Sequence, residues 1–191
     1  MKMTSKKILS VLLIMLFSIS ATVLAKAAES VSFTKTVKLG KEIRNDYAGF
    51  VGMKIQIGNK DIQVKELGRY FEKSNKQSHE LQIVDHKTNN ILGKVTVDLS
   101  KGKADKIGFK YTTLKTPVTL KANMEYDIMS MENLNGDKWY GRTAGNMTKL
   151  TVTNVAQVLT QIYGPRPPFI EAGKTANQTY VPVNFKYQSL E

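Results

Sequence analysis

Short runs in which every second residue is apolar recur along most of this chain, and they constrain it more than any other feature. Ile107, Phe109 and Tyr111 alternate with Gly108, Lys110 and Thr112, the two-residue period of a strand with one buried face. Tyr126 and Ile128 repeat the pattern, and the stretch from Ile107 to Gly141 reads as three strands joined by turns. It ends in a Gly136-Asp137-Lys138-Trp139-Tyr140 loop that carries the only tryptophan. Beyond residue 27 no window sustains a 3.6-residue period over three turns, so a long helix is not expected.

The first 27 residues read as a secretory signal peptide. Lys2, Lys6 and Lys7 precede an uncharged apolar run, Ile8 to Leu24, and an Ala25-Lys26-Ala27 site follows. That run falls short of the roughly 20 residues a membrane-crossing helix needs, so no stable span is expected once the leader is removed. Cysteine is absent, which excludes disulfides and leaves core packing and hydrogen bonds to stabilise an exported domain. Residues 28–191 suffice for a single domain.

Removal of the leader takes away four lysines and no acid, so the net charge falls from +12 to +8. Lysines alternate with apolar residues on the expected strands, as a solvated face would have them, and no block of five like charges occurs. Such a surface favours anionic cell-wall polymers or acidic glycans. Nucleic acid is not an expected partner of an exported chain without a binding motif.

The opening strand runs through Val31, Phe33, Val37 and Leu39. Val51, Met53, Ile55 and Ile57 alternate next, and Gly58-Asn59-Lys60-Asp61 is expected to supply left-handed turn positions that close a hairpin with Ile62 to Phe71. A break in apolar phase between Val64 and Leu67 predicts a bulge near Lys65 or Glu66. His79 to Asp85 and Ile91 to Leu99 face each other across Lys87-Thr88-Asn89-Asn90, a second hairpin. Pro117 and Asn123 bound a short edge or connecting strand, Val118 to Leu120. Arg142 to Thr148 is a polar segment, expected to be a mobile loop. Leu150 to Val155 and Val158 to Tyr163 are rich in β-branched residues, although Val152, Val155 and Leu159 also fit a short helix. Gly164-Pro165-Arg166-Pro167-Pro168 ends that segment, and Val181, Val183, Phe185 and Tyr187 form a closing strand. About ten short strands with turns every 8 to 12 residues predict an all-β, antiparallel, jelly-roll-like β-sandwich.

From Leu67 to Tyr187 the order of signals resembles a known kind of module. A Leu-Gly-Arg-Tyr strand end is followed by Ser78-His79-Glu80-Leu81-Gln82-Ile83-Val84-Asp85 and then Thr-Asn-Asn-Ile-Leu-Gly. After these come a Phe-x-Tyr-x-x-Leu-x-x-Pro-Val-x-Leu run from Phe109, the Trp139 loop and Val183-Asn184-Phe185-Lys186-Tyr187. This resembles the β-sandwich accessory modules, of the domain-of-unknown-function type, found in secreted bacterial proteins and often beside glycoside hydrolases. The resemblance implies a sandwich without catalytic residues, at the cell surface or secreted.

The candidate ligand-binding residues are Trp139 and Tyr140, whose rings would face sugar C–H groups, with Asp137, Asn135 and Lys138 bonding to hydroxyls. Tyr163, Phe169 and Tyr180 join them if the fold gathers the late loops at one end. In the competing reading Trp139 is a core plug, because burying an indole removes about 150–250 Å² from water, worth about 4–6 kcal/mol. The domain is then a structural or protein-interaction unit. No cofactor is expected. Glu132, Asn133, Asn135 and Asp137 space oxygens as some calcium loops do, without the distal glutamate. For catalysis only His79, His86 and a carboxylate pair such as Asp127 with Glu132 stand out, and no serine sits in a nucleophile-elbow context.

Overall fold

The computed structural model describes residues 29–140, 147–173 and 176–190. The segment read as a signal peptide and most of the polar Arg142–Thr148 segment lie outside the described residues. Fifteen strands follow in order: β1 (Val31–Ser32), β2 (Thr34–Lys38), β3 (Ile43–Arg44), β4 (Gly49–Ile57), β5 (Ile62–Tyr70), β6 (Ser78–Asp85), β7 (Ile91–Asp98), β8 (Phe109–Leu120), β9 (Glu125–Glu132), β10 (Trp139–Tyr140), β11 (Thr148–Val152), β12 (Ala156–Gly164), β13 (Ile170–Glu171), β14 (Gln178–Thr179) and β15 (Val183–Ser189). The count exceeds the expected ten because five of these are two-residue pairings, too short to leave a period in the sequence. Of the two β-branched segments, Leu150–Val152 ends β11 and Val158–Tyr163 lies within β12, with a turn at residues 153–155 between them and no helix.

A six-stranded sheet, β13-β12-β4-β9-β6-β7, faces a four-stranded sheet, β1-β15-β5-β8, and every pairing is antiparallel. Alternate residues of both point inward. Met53, Ile55, Leu81, Ile83 and Ile128 from one sheet meet Ile62, Val64, Leu67, Leu120 and Phe185 from the other in a continuous core. Each such side chain, fully buried, contributes about 1.5–3 kcal/mol. A three-stranded sheet, β14-β11-β2, lays Leu150, Val37 and Val152 on the same core, and the β10-β3 pair adds Trp139. Among the described residues no helix is long and apolar enough to cross a membrane.

The first expected hairpin does not form. β4 pairs with β12 and β9, whereas β5 pairs with β15 and β8, so residues 58–61 carry the chain from one sheet to the other. Gly58 donates its amide to Val155 and accepts from Asn123, and neither Gly58 nor Asn59 has a positive φ. A sandwich and a hairpin impose the same alternation, because period reports which face a residue takes and not which strand lies beside it. The second hairpin forms between β6 and β7, with Asn89 at φ 60°.

Two features follow from local chemistry. Lys65 is the extra residue against β15, where Lys186↔Glu66 is followed by Tyr187↔Val64, and the β5–β8 register jumps from Val64↔Val118 to Glu66↔Thr113, a larger excursion on β8. Pro117 lies inside that excursion on an edge strand, where a missing amide hydrogen is tolerated, so β8 runs unbroken instead of ending before a separate Val118 segment. On the outer face of the six-stranded sheet, Phe169 packs with Phe50, Val84, Met129 and Ile162, which is why β4 is buried on both faces.

Candidate functional site

β10 is a two-residue strand, and strand geometry sends its two rings to opposite sides. Trp139 pairs with Arg44 of β3 and turns inward, with 3% exposure. Tyr140 turns the other way, edge-on to Tyr70 at 6.1 Å, and its hydroxyl donates to Glu72. The aromatic pair read from the sequence is therefore divided: Tyr140 is tied to the protein and does not share the space beside Trp139.

That space is a pocket of about 190 Å³, lined by Arg44, Tyr47, Val51, Trp139, Tyr163 and Tyr180. The rings form an arc of near-perpendicular contacts. Tyr47 meets Tyr163 at 6.2 Å, Tyr163 meets Tyr180 at 6.0 Å, and Tyr180 meets Trp139 at 6.5 Å. The Arg44 guanidinium lies 4.9 Å from the indole centroid. Edge-to-face contact satisfies the ring quadrupoles. Gly49, at φ +137°, admits the Tyr47 ring, whose hydroxyl would stand 2.9 Å from an added Cβ. The Trp139 indole N–H is buried and has no hydrogen-bond partner among the described residues. Unpaired buried donors are rare because each carries the cost of its lost hydration.

Of the late aromatics, Tyr163 and Tyr180 join Trp139 and Phe169 does not, since it covers the opposite face of the sheet. Tyr163 sits on β12 directly opposite Val51, so a strand rather than a loop delivers it. Arg44, Tyr47 and Val51 were not legible as site residues. Arg44 and Trp139 are cross-strand neighbours yet far apart in sequence, and no local spacing announces such a pairing.

The polar residues expected beside Trp139 serve the loop itself. Asp137 is buried, and its carboxylate accepts from the amides of Lys76 (3.0 Å) and Gln77 (2.7 Å) and meets His79 Nε2 at 3.1 Å. Asn135 takes φ 58° and donates its amide to the Asn45 carbonyl. Lys138 is bound through its backbone, donating to Asn75 Oδ1 and accepting from Asn75 Nδ2, with its side chain exposed. Asn133 is exposed at the loop edge, 3.5 Å from Gln77. The calcium reading fails on the same geometry: Glu132 points into the core and Asp137 is spent on amides. Among the described residues no three His, Asp or Glu side chains are placed to hold a metal.

Behind the pocket lies a buried ionic group. Arg69 donates to both oxygens of Glu132, Nε at 3.0 Å and Nη2 at 2.8 Å, and Ser130 adds a bond of 2.7 Å. Burial alone would raise the Glu132 pKa, but Arg69 and His79 hold it down to about 2. Both ring nitrogens of His79 face acceptors, Nδ1 the Met131 carbonyl at 2.9 Å and Nε2 Asp137, which only a doubly protonated ring satisfies. Burial opposes that charge, yet Glu132 outweighs it and the pKa is raised. Asp127 and Glu132, the carboxylates noted in the sequence, are not brought together, because Asp127 lies on the outer face of β9 and Glu132 on the inner. Asp127 instead meets His86 Nδ1 at 3.0 Å, beside Lys54, which bridges Glu125 (3.5 Å) and Glu171 (2.6 Å). Burial raises the Asp127 pKa to about 6, against the pull of His86 and Lys54.

No protein-family model matches this chain, and no curated protein matches it. The likeness to accessory modules is therefore carried here by its coarse content, an all-β domain of packed antiparallel sheets.

Proposed function

We propose that this domain is a secreted, non-catalytic binding module that receives one sugar ring of a carbohydrate or cell-wall polymer in the pocket beside Trp139, as an accessory module of the kind it resembles would. The observation that carries this reading is an arc of four aromatic rings, with Arg44 beside them, around a space. Ring faces stack on sugar C–H groups, while the tyrosine hydroxyls and Arg44 supply donors for ring hydroxyls. Pockets for drug-sized ligands span about 300–1,000 Å³. At about 190 Å³ this one suits a single unit of a longer chain.

The near-complete burial of Trp139 favours a second reading, in which the indole is only core and the domain is a structural or protein-interaction unit of the cell surface. Trp139 is the only tryptophan, so fluorescence reports on this pocket alone. A pull-down against insoluble polysaccharides and peptidoglycan, with Tyr180→Ala as control and oligosaccharide titration of the emission, separates the two. Retention of the wild type, loss in the variant and a ligand-dependent emission change support the binding module. Equal non-retention of both proteins, with unchanged emission, refutes it.

A further inference from the structure

The small β14-β11-β2 sheet adjoins the pocket and carries an unusual pairing. Lys38 of β2 and Lys149 of β11 stand directly opposite each other, and Gln178 of β14 stands opposite Lys149 on its other side. Directly opposed residues share a face, and both lysines are exposed. Like charges in that position destabilise a sheet, and neither lysine makes an ion pair among the described residues. Thr36 and Thr151 form the next opposed pair on that face, so it is hydroxyl-bearing and positive. The β2 strand then leads through exposed Lys41 to Arg44 at the pocket, while Tyr180 lies two residues beyond Gln178.

Resting on the binding-module reading, we infer that the ligand is an acidic polysaccharide: one ring occupies the aromatic pocket and the anionic group of a neighbouring unit lies on Lys38 and Lys149. A neutral glycan would leave the opposed lysines repelling each other, whereas a carboxylate or phosphate between them removes that repulsion and gains two charge-assisted contacts. Exposed charges act within about 10 Å at 0.1 M salt, so the acidic preference is salt-sensitive while ring stacking is not.

The test compares polygalacturonate, its fully methyl-esterified form and poly-L-glutamate, by titration of the wild type, Lys38→Gln/Lys149→Gln and Tyr180→Ala. At low salt the wild type is expected to bind polygalacturonate about tenfold more tightly than the ester, narrowing to about twofold at 0.5 M. The double variant should bind the acid only as tightly as the ester, with its ester affinity unchanged. Equal binding of polygalacturonate by wild type and double variant overturns the acidic preference and leaves the pocket standing. Binding of poly-L-glutamate as tight as that of polygalacturonate overturns the sugar requirement and with it this inference. Unchanged binding of both polysaccharides by Tyr180→Ala overturns the pocket reading itself, and failure of the wild type to bind either overturns both.

Discussion

Glu132→Gln probes the buried ion pair on which the pocket wall rests. The substitution keeps shape and volume but replaces one carboxylate oxygen with an amino group. In the wild type Oε1 accepts from Arg69 Nε and Ser130 Oγ, and Oε2 accepts from Arg69 Nη2. Whichever way the amide turns, it sets a donor against a guanidinium donor, and Arg69 keeps its charge in a site with 1% side-chain exposure. Removing one partner of a buried pair costs about 3–5 kcal/mol. Linkage gives a similar magnitude from a separate quantity: lowering the carboxyl from its ordinary 4.5 to about 2 contributes about 3 kcal/mol, at about 1.4 kcal/mol per pKa unit. Because the folded pKa is depressed, this contribution is complete above pH 4.5 and is lost as pH falls towards 2. Urea unfolding of residues 28–191, followed by Trp139 fluorescence at several pH values, measures it. The variant should be less stable by about 3–5 kcal/mol at pH 7, and the gap should shrink steadily below pH 4.5. A gap under about 1 kcal/mol at pH 7, or one as large at pH 2.5 as at pH 7, would refute the account.

Three further outcomes are expected. Trp139→Ala should cost about 3–5 kcal/mol in urea unfolding, with Trp139→Phe near half of that; a loss under about 1 kcal/mol for the alanine variant would show that the indole is not core. Asp127→Asn should stabilise the domain at pH 8 by up to about 3 kcal/mol, because a carboxyl whose folded pKa is raised to about 6 is held ionised at a cost there. The folded state binds that proton more tightly than the unfolded chain, so the gain should grow between pH 4 and 6 and vanish below pH 4, which thermal melts across that range would follow. Gly52→Ala should destabilise by about 3 kcal/mol or prevent folding, since its Cβ would stand 2.0 Å from the Ile128 carbonyl oxygen, a backbone atom that cannot rotate away; near-wild-type melting would contradict that close approach.

The sequence alone determined the element type and the inward face of the longer strands, because alternation along Val51–Ile57, Leu81–Ile83, Tyr126–Ile128 and Val183–Tyr187 is a local property of the pleat. It also placed a bulge near Lys65 or Glu66, where the apolar phase slips and the structure puts it at Lys65, and the β6–β7 turn, where Asn89 takes a left-handed conformation. Tertiary structure decided which strand lies beside which: residues 58–61 cross between sheets because β4 has already given both edges to β12 and β9. It likewise decided the site. Asp137 and Tyr140 were legible as loop residues beside Trp139, but only packing shows their polar atoms committed to Lys76, Gln77 and Glu72. Arg44, Tyr47, Tyr163 and Tyr180 line the space beside the indole from stretches remote in the chain. Periodicity reports the direction a side chain takes from its own strand, whereas a pocket depends on distances between residues remote in the chain, and those exist only once the sheets have packed.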